Sequence, residues 1–431
     1  MDHFSYRDGE LFCEDVPVER IADELGTPVY IYSQATLLAH YRQLAEAFAP
    51  LAATICYSVK TNGNLHVLRL LAQAGCGFDI VSGGELFRAL AAGGDPKKIV
   101  YAGVGKTDAE IRQAMAAGIG LFNVESEAEL VNLDGLARQA GAVVRGALRI
   151  NPDVDPHTHA YITTGKKETK FGIDIDRAAD VFRRHGRKAD FDAPGLHLAG
   201  LHLHIGSQIT QVEPYVEAVA KTLRLIESLR GGGFRLDWLD LGGGFGINYR
   251  GEHALPASAY AAALLPMLRG AKLNIALEPG RYIPGNAGVL LTGVLYLKQG
   301  GAKKFVIVDA GMNDLIRPML YDAYHFIWPT RPGEAFLPPA ERTAAETLSG
   351  LDTVDVVGPI CETGDFFAHD RAIPPVTRGQ RLAIFSAGAY SFTMASQYNA
   401  RPRPPEVLVS GNAFRVIRRR ETYEDLVAAE R

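Results

Sequence analysis

The chain has 431 residues, of which 47% are hydrophobic and 22% charged, and its formal net charge is −4. This composition excludes a disordered chain, and the near balance of charge gives no electrostatic reason to expect a nucleic acid or an anionic membrane as a partner. The length predicts two domains, because a single core stops growing at roughly 250–300 residues.

We expect neither a targeting segment nor a membrane span from this sequence. Its start lacks a basic segment followed by an apolar run, so we expect no signal peptide. Apolar runs such as 289–297 are broken by Gly and Thr and are too short to span a bilayer. No two cysteines have metal-site spacing, which indicates a reducing, cytoplasmic location for Cys13, Cys56, Cys76 and Cys361.

Between about residues 50 and 285, short β-branched apolar runs alternate with stretches of helical period, such as 109–117 and 212–229. Strand, helix and strand at this spacing predict a parallel sheet with right-handed crossovers. Eight runs favour an α/β fold of the closed (β/α)8 TIM-barrel type, with an open doubly wound sheet as the alternative. The runs are 53–58, 78–82, 98–102, 120–124, 144–150, 200–205, 237–242 and 274–278.

The connection between the fifth and sixth predicted strands is long. It contains residues 159–174, and a helix is expected to begin near Asp176. A long excursion from the C-terminal side of a barrel strand is a candidate active-site loop.

After about residue 287 helical period is nearly absent, and β-like runs alternate with Pro- and Gly-rich turns. This pattern predicts a β-sandwich or β-barrel domain of roughly 140 residues. The first 30 residues are β-like too, and we expect them to pair with this second domain. The predicted domains are the barrel, residues 31–286, and an all-β domain, residues 1–30 with 287–431.

Polar and reactive residues concentrate where the barrel strands are predicted to end, which is where (β/α)8 enzymes place their chemistry. A chance scatter would put as many at the opposite ends, so this coincidence indicates an enzyme. The residues are Lys60; Asp79 and Ser82; Arg149 and Asn151; His202, His204 and Ser207; Gly242, Gly243 and Gly244; and Glu278, Gly280 and Arg281.

Two of these positions have clear alternative interpretations. Cys56, Ser58 and Lys60 alternate onto one face of a strand. Lys60 can therefore face the barrel and form a Schiff base with a carbonyl, or it can extend to solvent. The three glycines 242–244 can bind an anion through their backbone or can form a tight barrel turn.

The histidines and the segment from Glu278 to Arg281 also allow more than one role. Glu278 can pair with a ring nitrogen or a metal and Arg281 can clamp a carboxylate, or the two can form a surface ion pair. His202 and His204 share a face, but no third ligand has suitable spacing, so we expect no metal. We interpret His202 as a hydrogen-bonded core residue and His204 as a ring that can stack on a flat cofactor.

Two segments of the second predicted domain are unusually polar. Arg317 and Tyr321 are four residues apart, so a short helical turn would put them on one side. Cys361 and Glu362 lie in a Gly- and Pro-rich loop. The thiol is either a small buried residue or, beside carboxylates, an acid–base group.

Seven motifs occur in order between about residues 28 and 415: YSVKTN, HLHIGSQ, LDLGGGFGI, ALEPGRY, MNDLIRPMLYDAYH, GPICETGD and GAYSFTMASQYNARPRPPEVL. Together they resemble the fold-type-III pyridoxal-phosphate decarboxylases and, within that group, the diaminopimelate decarboxylases. Any one motif is weakly specific, but seven in the right order are strongly so.

The resemblance implies that pyridoxal 5'-phosphate is held at the barrel mouth. Lys60 is then the Schiff-base lysine, Glu278 pairs with the pyridinium nitrogen, and His204 stacks on the ring. Ser207, the glycines and the backbone beside them hold the phosphate. The implied cofactor-binding residues are Lys60, Asp79, His204, Ser207, Gly243, Gly244, Glu278, Gly280, Arg281 and Tyr390.

The resemblance also implies a homodimer with shared active sites, in which the loop with Cys361 and Glu362 completes the neighbour's site. In the family the long barrel loop closes near the site, and this loop carries His157, Lys170 and Phe171, whose individual roles stay open. The implied substrate-binding residues are Arg281, Arg317, Tyr321, Glu362 and Tyr390.

The implied reaction is the decarboxylation of meso-2,6-diaminopimelate to L-lysine and carbon dioxide, the last step of lysine biosynthesis. Cys361 is the candidate proton donor to the carbanion, with Lys60 as the alternative. Two other interpretations stay open. One is a decarboxylase of another amino acid, such as arginine, ornithine or a carboxylated polyamine, and the other is a non-catalytic regulator that binds pyridoxal phosphate.

Overall fold

The chain divides into two compact units in a computed structural model that describes residues 2–155, 170–250 and 254–431. We call them the barrel unit (His40–Gly246 and Ala254–Tyr282) and the β unit (Met1–Ala39, Ile247–His253 and Ile283–Arg431). The domain limits expected from the sequence, residues 31 and 286, stay a prediction. Among the described residues, no helix combines the length and the apolar character needed to cross a membrane.

Strands and helices alternate through the middle of the chain, whereas strands dominate its flanks. The strands are β1 (Phe4–Arg7), β2 (Glu10–Cys13), β3 (Val16–Pro17), β4 (Val29–Ser33), β5 (Thr54–Ser58), β6 (Gly77–Ile80), β7 (Ile99–Tyr101), β8 (Leu121–Val124), β9 (Val143–Asn151), β10 (Ile173–Asp174), β11 (Gly195–Leu203), β12 (Trp238–Asp240), β13 (Asn274–Leu277), β14 (Gly288–Gly300), β15 (Lys303–Val308), β16 (Ile327–Pro329), β17 (Asp352–Val357), β18 (Phe366–Ile373), β19 (Arg381–Ile384), β20 (Glu406–Ser410) and β21 (Ala413–Arg418). The helices are α1 (Val18–Leu25), α2 (Gln34–Ala47), α3 (Leu65–Gln73), α4 (Gly83–Ala91), α5 (Asp108–Ala117), α6 (Glu127–Gln139), α7 (Ile175–His185), α8 (Glu213–Gly231), α9 (Ala257–Leu268), α10 (Arg317–Tyr321) and α11 (Tyr423–Leu426).

The barrel unit is built on a closed ring of eight parallel strands within the described residues. The ring follows the order β5, β6, β7, β8, β9, β11, β12 and β13, and the pairing of β13 with β5 closes it. The predicted (β/α)8 barrel is therefore confirmed. The open sheet is excluded, because it would leave two edge strands unpaired.

Strand β11 is longer than the sequence predicts. It begins at Gly195 rather than at Gly200, and its pairing with β9 shifts register between Leu198 and Gly200. This bulge interrupts the regular alternation, and small residues occupy positions where β-branched ones would mark a strand. All nine residues of β11 are buried, so burial on both faces determines this strand.

Three helices of the barrel unit begin with the same local signal. Ser82, Thr107 and Ser126 each accept a hydrogen bond from the backbone N–H three residues later, at the starts of α4, α5 and α6. Each cap satisfies a donor that a helix N-terminus leaves open and contributes about 1 kcal/mol. Ser82, which the sequence placed among the reactive strand ends, therefore has a structural role at the start of α4.

The interior of the barrel is packed with side chains. One buried cluster joins four strands through Cys56, Val100, Leu121 and Ala147, and Trp238 packs against it. The barrel is thus a solid core and not a pore, which is usual for this architecture. Polar residues at the strand ends are held by a rigid support.

The β unit contains a long mixed sheet and a small antiparallel sheet of β1, β2 and β3. The long sheet follows β18, β17, β15, β14, β4, β20 and β21, and β19 joins it by pairing with β14 and β16. Strand β4 lies between β14 and β20, so the N-terminal segment belongs to the C-terminal sheet, as predicted. After residue 287 the helices α10 and α11 have only five and four residues.

Candidate active site

Lys60 lies at the carboxyl end of the barrel, directly after β5. The strand ends at Ser58, and Lys60 is in a single 3-10 turn, so the prediction that Lys60 continues the strand face is wrong. The turn nevertheless brings Lys60 to the same partner as Ser58, because both donate to Asp79 Oδ2 at 2.7 Å. The side chain of Lys60 is 34% exposed and that of Asp79 is fully buried, so the amine is held but accessible.

A buried hydrogen-bond network joins four strands next to this pair. The Asn123 amide donates at 2.9 Å to Asp240 Oδ2 and at 2.9 Å to Glu278 Oε1. His202 Nε2 lies 3.2 Å from Glu278 Oε2, and the Gly242 N–H donates to Asp240 Oδ1 at 3.0 Å. These side chains come from β8, β11, β12 and the end of β13, so only barrel closure brings them together.

Burial controls the protonation of this network. It raises the pKa of Asp240 to about 8, and the charge of Glu278 acts in the same direction. Burial also raises the pKa of Glu278 to about 8, with the charge of Asp79 adding to the effect. In contrast, burial lowers the pKa of His202 to about 4, so its ring is neutral at pH 7 and its Nε2–H donates to Glu278.

His202, Asp240 and Glu278 each present one possible ligand atom, and these atoms lie within 4.8 Å of one another. Spacing along the sequence does not reveal carboxylates beside His202, because they come from other strands. Three of the carboxylate oxygens already accept hydrogen bonds from Asn123 and Gly242, which favours a hydrogen-bond network over a metal site. That the site holds no metal stays a prediction.

His204 has a fixed ring orientation at the edge of this network. The Gly243 N–H donates to His204 Nδ1 at 3.2 Å. Burial, together with the charges of Arg149 and Lys60, holds the pKa of His204 well below its usual value. A neutral, flat ring in a fixed orientation fits the predicted stacking role.

The glycine run after β12 is required by the barrel itself. A Cβ atom on Gly243 would lie 2.1 Å from the backbone oxygen of Glu278. Gly244 has a φ of 107°, and its Cβ position is 2.6 Å from the backbone oxygen of Gly206. The run is therefore a tight barrel turn, and phosphate binding by Gly243 and Gly244 stays a prediction.

Arg281 and Ser207 meet at the same end of the barrel. Arg281 Nη2 donates to Ser207 Oγ at 3.2 Å, which links the segments that follow β13 and β11. Arg281 is buried, and Gly280 precedes it in the turn after Glu278. A buried guanidinium with a hydroxyl beside it can bind an anion by charge-assisted hydrogen bonds.

The β unit holds the other predicted site residues. Arg317 is buried and begins α10, and Tyr321 ends that helix, so the two are one helical turn apart, as the sequence predicts. Tyr390 has a φ of 55°. Non-glycine residues seldom adopt this conformation, and it is enriched at functional sites.

Cys361 and Glu362 are exposed in the loop between β17 and β18. The Cys361 N–H donates to Asn399 Oδ1 at 2.8 Å. Glu362 accepts a hydrogen bond from the Tyr398 hydroxyl, and this bond raises the pKa of Tyr398. The interpretation of Cys361 as a small buried residue is wrong, because the loop leaves its thiol accessible, and its acid–base role stays a prediction.

The described end of the long barrel loop is anchored beside β9. The guanidinium carbon of Arg149 lies 4.6 Å from the ring centroid of Phe171, and Lys170 Nζ lies 5.3 Å from it. Asn151 Nδ2 donates to the Phe171 backbone oxygen at 2.6 Å. His157 lies outside the described residues.

The structure adds Asn123 and Asp240 to the site. The available sequence signals were one polar residue inside a buried strand, and an aspartate two residues before three glycines. The side chains that form hydrogen bonds with Asn123 and Asp240 lie far from them along the chain. The predicted residues that the structure gathers at the carboxyl ends of the barrel strands are Lys60, Asp79, His204, Ser207, Gly243, Gly244, Glu278, Gly280 and Arg281.

Residues 34–285 match the pyridoxal-binding domain of the pyridoxal-dependent decarboxylases. The diaminopimelate decarboxylase of Pseudomonas aeruginosa is 50% identical over 430 residues, which are 100% of this chain and 99% of that protein. The chain belongs to the diaminopimelate decarboxylase family. The member from Aquifex aeolicus is 48% identical over 99% of this chain and 96% of its own length. The family predicted from seven motifs is therefore confirmed.

Two solved structures share the fold of this chain along nearly its whole length. AQ1208 from Aquifex aeolicus has a TM-score of 0.89 at 44% identity, covering 99% of this chain and 97% of its own. The diaminopimelate decarboxylase of Helicobacter pylori, solved with L-lysine, has a TM-score of 0.88 at 41% identity, covering 96% and 99%. The predicted fold class is confirmed, and the pyridoxal-binding domain confirms the predicted cofactor.

The residues at the barrel's carboxyl end fit the pyridoxal phosphate that diaminopimelate decarboxylases use. The amine of Lys60 is hydrogen-bonded to Asp79 and remains accessible. Asp79 Oδ1 is buried with no hydrogen-bond partner in the part of the chain that the structure describes. Glu278 offers a buried carboxylate to a ring nitrogen. Ser207 offers a hydroxyl to a phosphate beside the buried turn of Gly280 and Arg281.

Proposed function

We propose that this chain is a carboxy-lyase that converts meso-2,6-diaminopimelate to L-lysine and carbon dioxide in lysine biosynthesis. The observation that carries the proposal is the group at the barrel end, where the accessible amine of Lys60 is held by buried Asp79 near buried Glu278. Full-length similarity to diaminopimelate decarboxylases supports the substrate. The Helicobacter pylori relative was solved with L-lysine, the proposed product.

Pyridoxal phosphate, when bound, supplies an electron sink for the carbanion that the loss of carbon dioxide leaves. Lys60 would hold it covalently, Glu278 would face its ring nitrogen, and His204 would stack on its ring. Asn123 and His202 donate to the Glu278 carboxylate, so its charge is stabilised when a protonated ring nitrogen pairs with it. Further contacts are proposed for Asp79, Ser207, Gly243, Gly244, Gly280, Arg281 and Tyr390.

Substrate choice is proposed to depend on the second carboxylate of diaminopimelate. Arg281 and Arg317 would bind it, and Glu362 would bind the distal ammonium. Tyr321 and Tyr390 would contact the substrate. Ornithine and lysine, offered as substrates, have no second carboxylate and forgo those charge-assisted hydrogen bonds. The expected cost is roughly 2–5 kcal/mol, which excludes them at ordinary concentrations.

We also propose a cytoplasmic homodimer with shared active sites. The loop with Cys361 and Glu362 is exposed, and it would complete the site of the second copy. There the Cys361 thiol would protonate the carbanion, with Lys60 as the alternative donor. All four cysteines are free, which supports a reducing compartment. The net charge of −4 supports neither nucleic acid nor membrane as a partner.

A mixing experiment tests the shared site. Chains with Lys60→Ala and chains with Cys361→Ala should each be inactive alone. After unfolding and refolding together they should regain about a quarter of wild-type activity, because half of the dimers are mixed and each mixed dimer has one intact site. If Cys361→Ala alone decarboxylates normally and without transamination, the thiol is not the proton donor.

The reaction is tested by carbon dioxide release from the cofactor-loaded protein, with meso-diaminopimelate, ornithine, arginine and lysine offered separately. Release from diaminopimelate alone, with lysine as product, is the expected result. Release from another substrate would retain the cofactor chemistry and refute the proposed substrate. A protein that binds the cofactor yet releases nothing from any of them would be a regulator.

A further inference from the structure

His325 makes two hydrogen bonds in the β unit that together define its chemical state. Its Nδ1 lies 2.8 Å from the backbone oxygen of Phe385, and its Nε2 lies 3.1 Å from Arg317 Nη1. A carbonyl oxygen only accepts hydrogen bonds, so Nδ1 carries the hydrogen. A guanidinium only donates, so Nε2 must accept, and the ring is neutral with its proton on Nδ1.

The support behind His325 is rigid. His325 lies two residues before β16, and Phe385 directly follows β19. These two strands pair in antiparallel register, and the Phe385 N–H donates to the Phe326 backbone oxygen at 2.9 Å. His325 is only 1% exposed. The ring is therefore fixed to the sheet from one side and meets Arg317 with the other.

A second ring restrains the same guanidinium. The Arg317 guanidinium carbon lies 5.0 Å from the centroid of the Tyr249 ring, within the range of a cation–π contact. That ring also meets the His325 ring edge-to-face, with centroids 5.7 Å apart and planes at 82°. The Tyr249 ring and the neutral ring of His325 carry no charge, so neither of these two contacts cancels the charge that it orients.

We propose that His325 is a positioning residue that sets the substrate specificity of Arg317, the arginine proposed to bind the distal carboxylate. Carboxylate recognition by a guanidinium is bidentate and depends on the orientation of the guanidinium plane. The neutral Nε2 acceptor holds that plane and brings no negative charge that would compete with the substrate carboxylate. The inference rests on the proposed function, because it assigns to Arg317 the second carboxylate of diaminopimelate.

Two variants of nearly equal size separate the two hydrogen bonds of His325. In His325→Asn the side-chain amide can still donate to the Phe385 oxygen but is too short to reach Arg317. In His325→Gln the amide oxygen can take the place of Nε2 and accept from Arg317. His369→Asn is the matched control, because His369 is an exposed histidine in the same unit.

The expected result is a selective loss of carboxylate recognition. His325→Asn should raise KM for meso-diaminopimelate about 10- to 100-fold, the range for one lost hydrogen bond to a charged group, with a smaller change in kcat. His325→Gln should stay within about threefold of wild type. Cofactor affinity should be unchanged in both, and the control should behave as wild type throughout.

Ligand binding measured by calorimetry distinguishes a positioning role of His325 from a purely structural role. L-Lysine retains the carboxylate that would face Arg317, whereas cadaverine has none. His325→Asn should weaken L-lysine binding to the holoenzyme about 10- to 100-fold and leave cadaverine binding unchanged. Equal loss for both ligands, or a Gln variant as impaired as the Asn variant, would overturn the positioning role.

The proposal and the proposed function fail in different ways. A wild-type holoenzyme that does not decarboxylate diaminopimelate refutes the function, whatever the variants do. A wild-type holoenzyme that does, combined with a His325→Asn variant of unchanged KM and unchanged L-lysine affinity, refutes only the role of His325.

Discussion

Replacing Asn123 by alanine should destabilise the barrel unit more than its location in a strand suggests. Asn123 donates hydrogen bonds to Asp240 and to Glu278, and it is fully buried. Alanine would leave one oxygen of each carboxylate buried without that donor. A buried acceptor that loses its partner costs more than the net value of the bond, because its desolvation is no longer compensated.

The size of the loss follows from the two bonds. A hydrogen bond to a charged group contributes about 1.5–3 kcal/mol, so two of them set an upper range of about 3–6 kcal/mol. The raised pKa values of Asp240 and Glu278 reduce this loss at neutral pH, because both groups can take up a proton when the donor is removed. We therefore expect about 3 kcal/mol, which corresponds to a melting temperature lower by roughly 6–12 °C.

Fluorescence can follow this unit alone. The chain has two tryptophans, Trp238 in β12 and Trp328 in β16. In a Trp328→Phe background, Trp238 reports on the barrel unit. The apo-protein should be melted at pH 7 with and without Asn123→Ala.

Asn132→Ala is the control, because Asn132 is an exposed asparagine of the same unit whose amide donates to a single carboxylate, Asp108 Oδ1, at 2.8 Å. An exposed bond of this kind contributes at most about 1 kcal/mol. If the two alanine variants melt within about 2 °C of each other, the argument from buried carboxylates is wrong.

Three further predictions concern the same unit. The unfolding free energy of the apo-protein should fall as pH rises from about 4 to about 8. The reason is that the raised pKa values of Asp240 and Glu278 make the folded chain bind more protons than the unfolded chain. Asp240→Asn should make this pH dependence weaker, as measured by denaturation at several pH values. Gly243→Ala should lower the melting temperature and weaken cofactor binding, since the new Cβ would clash with the Glu278 backbone oxygen. Gly135→Ala is the matched control, because Gly135 lies inside a helix with open space around it. This change should raise the free energy of unfolding by about 0.5–1 kcal/mol. Lys106→Met should lower the free energy of unfolding in urea by about 3–5 kcal/mol, because the buried ammonium is the ion-pair partner of the Glu129 carboxylate. A decrease of less than about 1 kcal/mol would contradict this interpretation of the ion pair.

The barrel could be predicted from the sequence because its signals are local and repeated. Short β-branched runs mark most strands, and serine or threonine caps mark helix starts such as those at Ser82 and Ser126. Strand β11 shows the limit of this approach. Its first half is strand because it is buried between neighbours, and a bulge hides its alternation.

The site could be predicted only in part, because several of its contacts join distant positions. The sequence singles out Lys60 as the predicted Schiff-base residue, but its place in a turn after β5 depends on where pairing with β6 stops. Asn123 contacts Glu278 across 155 positions of sequence, and His325 contacts Phe385 across 60. No spacing rule covers such separations, so the motif resemblance predicted candidate reactive residues and assigned no role to Asn123 and His325.

The central place of β4 has a consequence for the synthesis of this chain. Val29–Ser33 leaves the ribosome early, and it is buried along its whole length between β14 and β20. Its last partner, β20, begins at Glu406, which is synthesised roughly 20–75 s later at about 5–20 residues per second. During that interval the barrel strands and then β14 are completed, while this buried strand still lacks its second neighbour, β20. Nascent chains should therefore depend on chaperone protection of this segment until translation is almost finished.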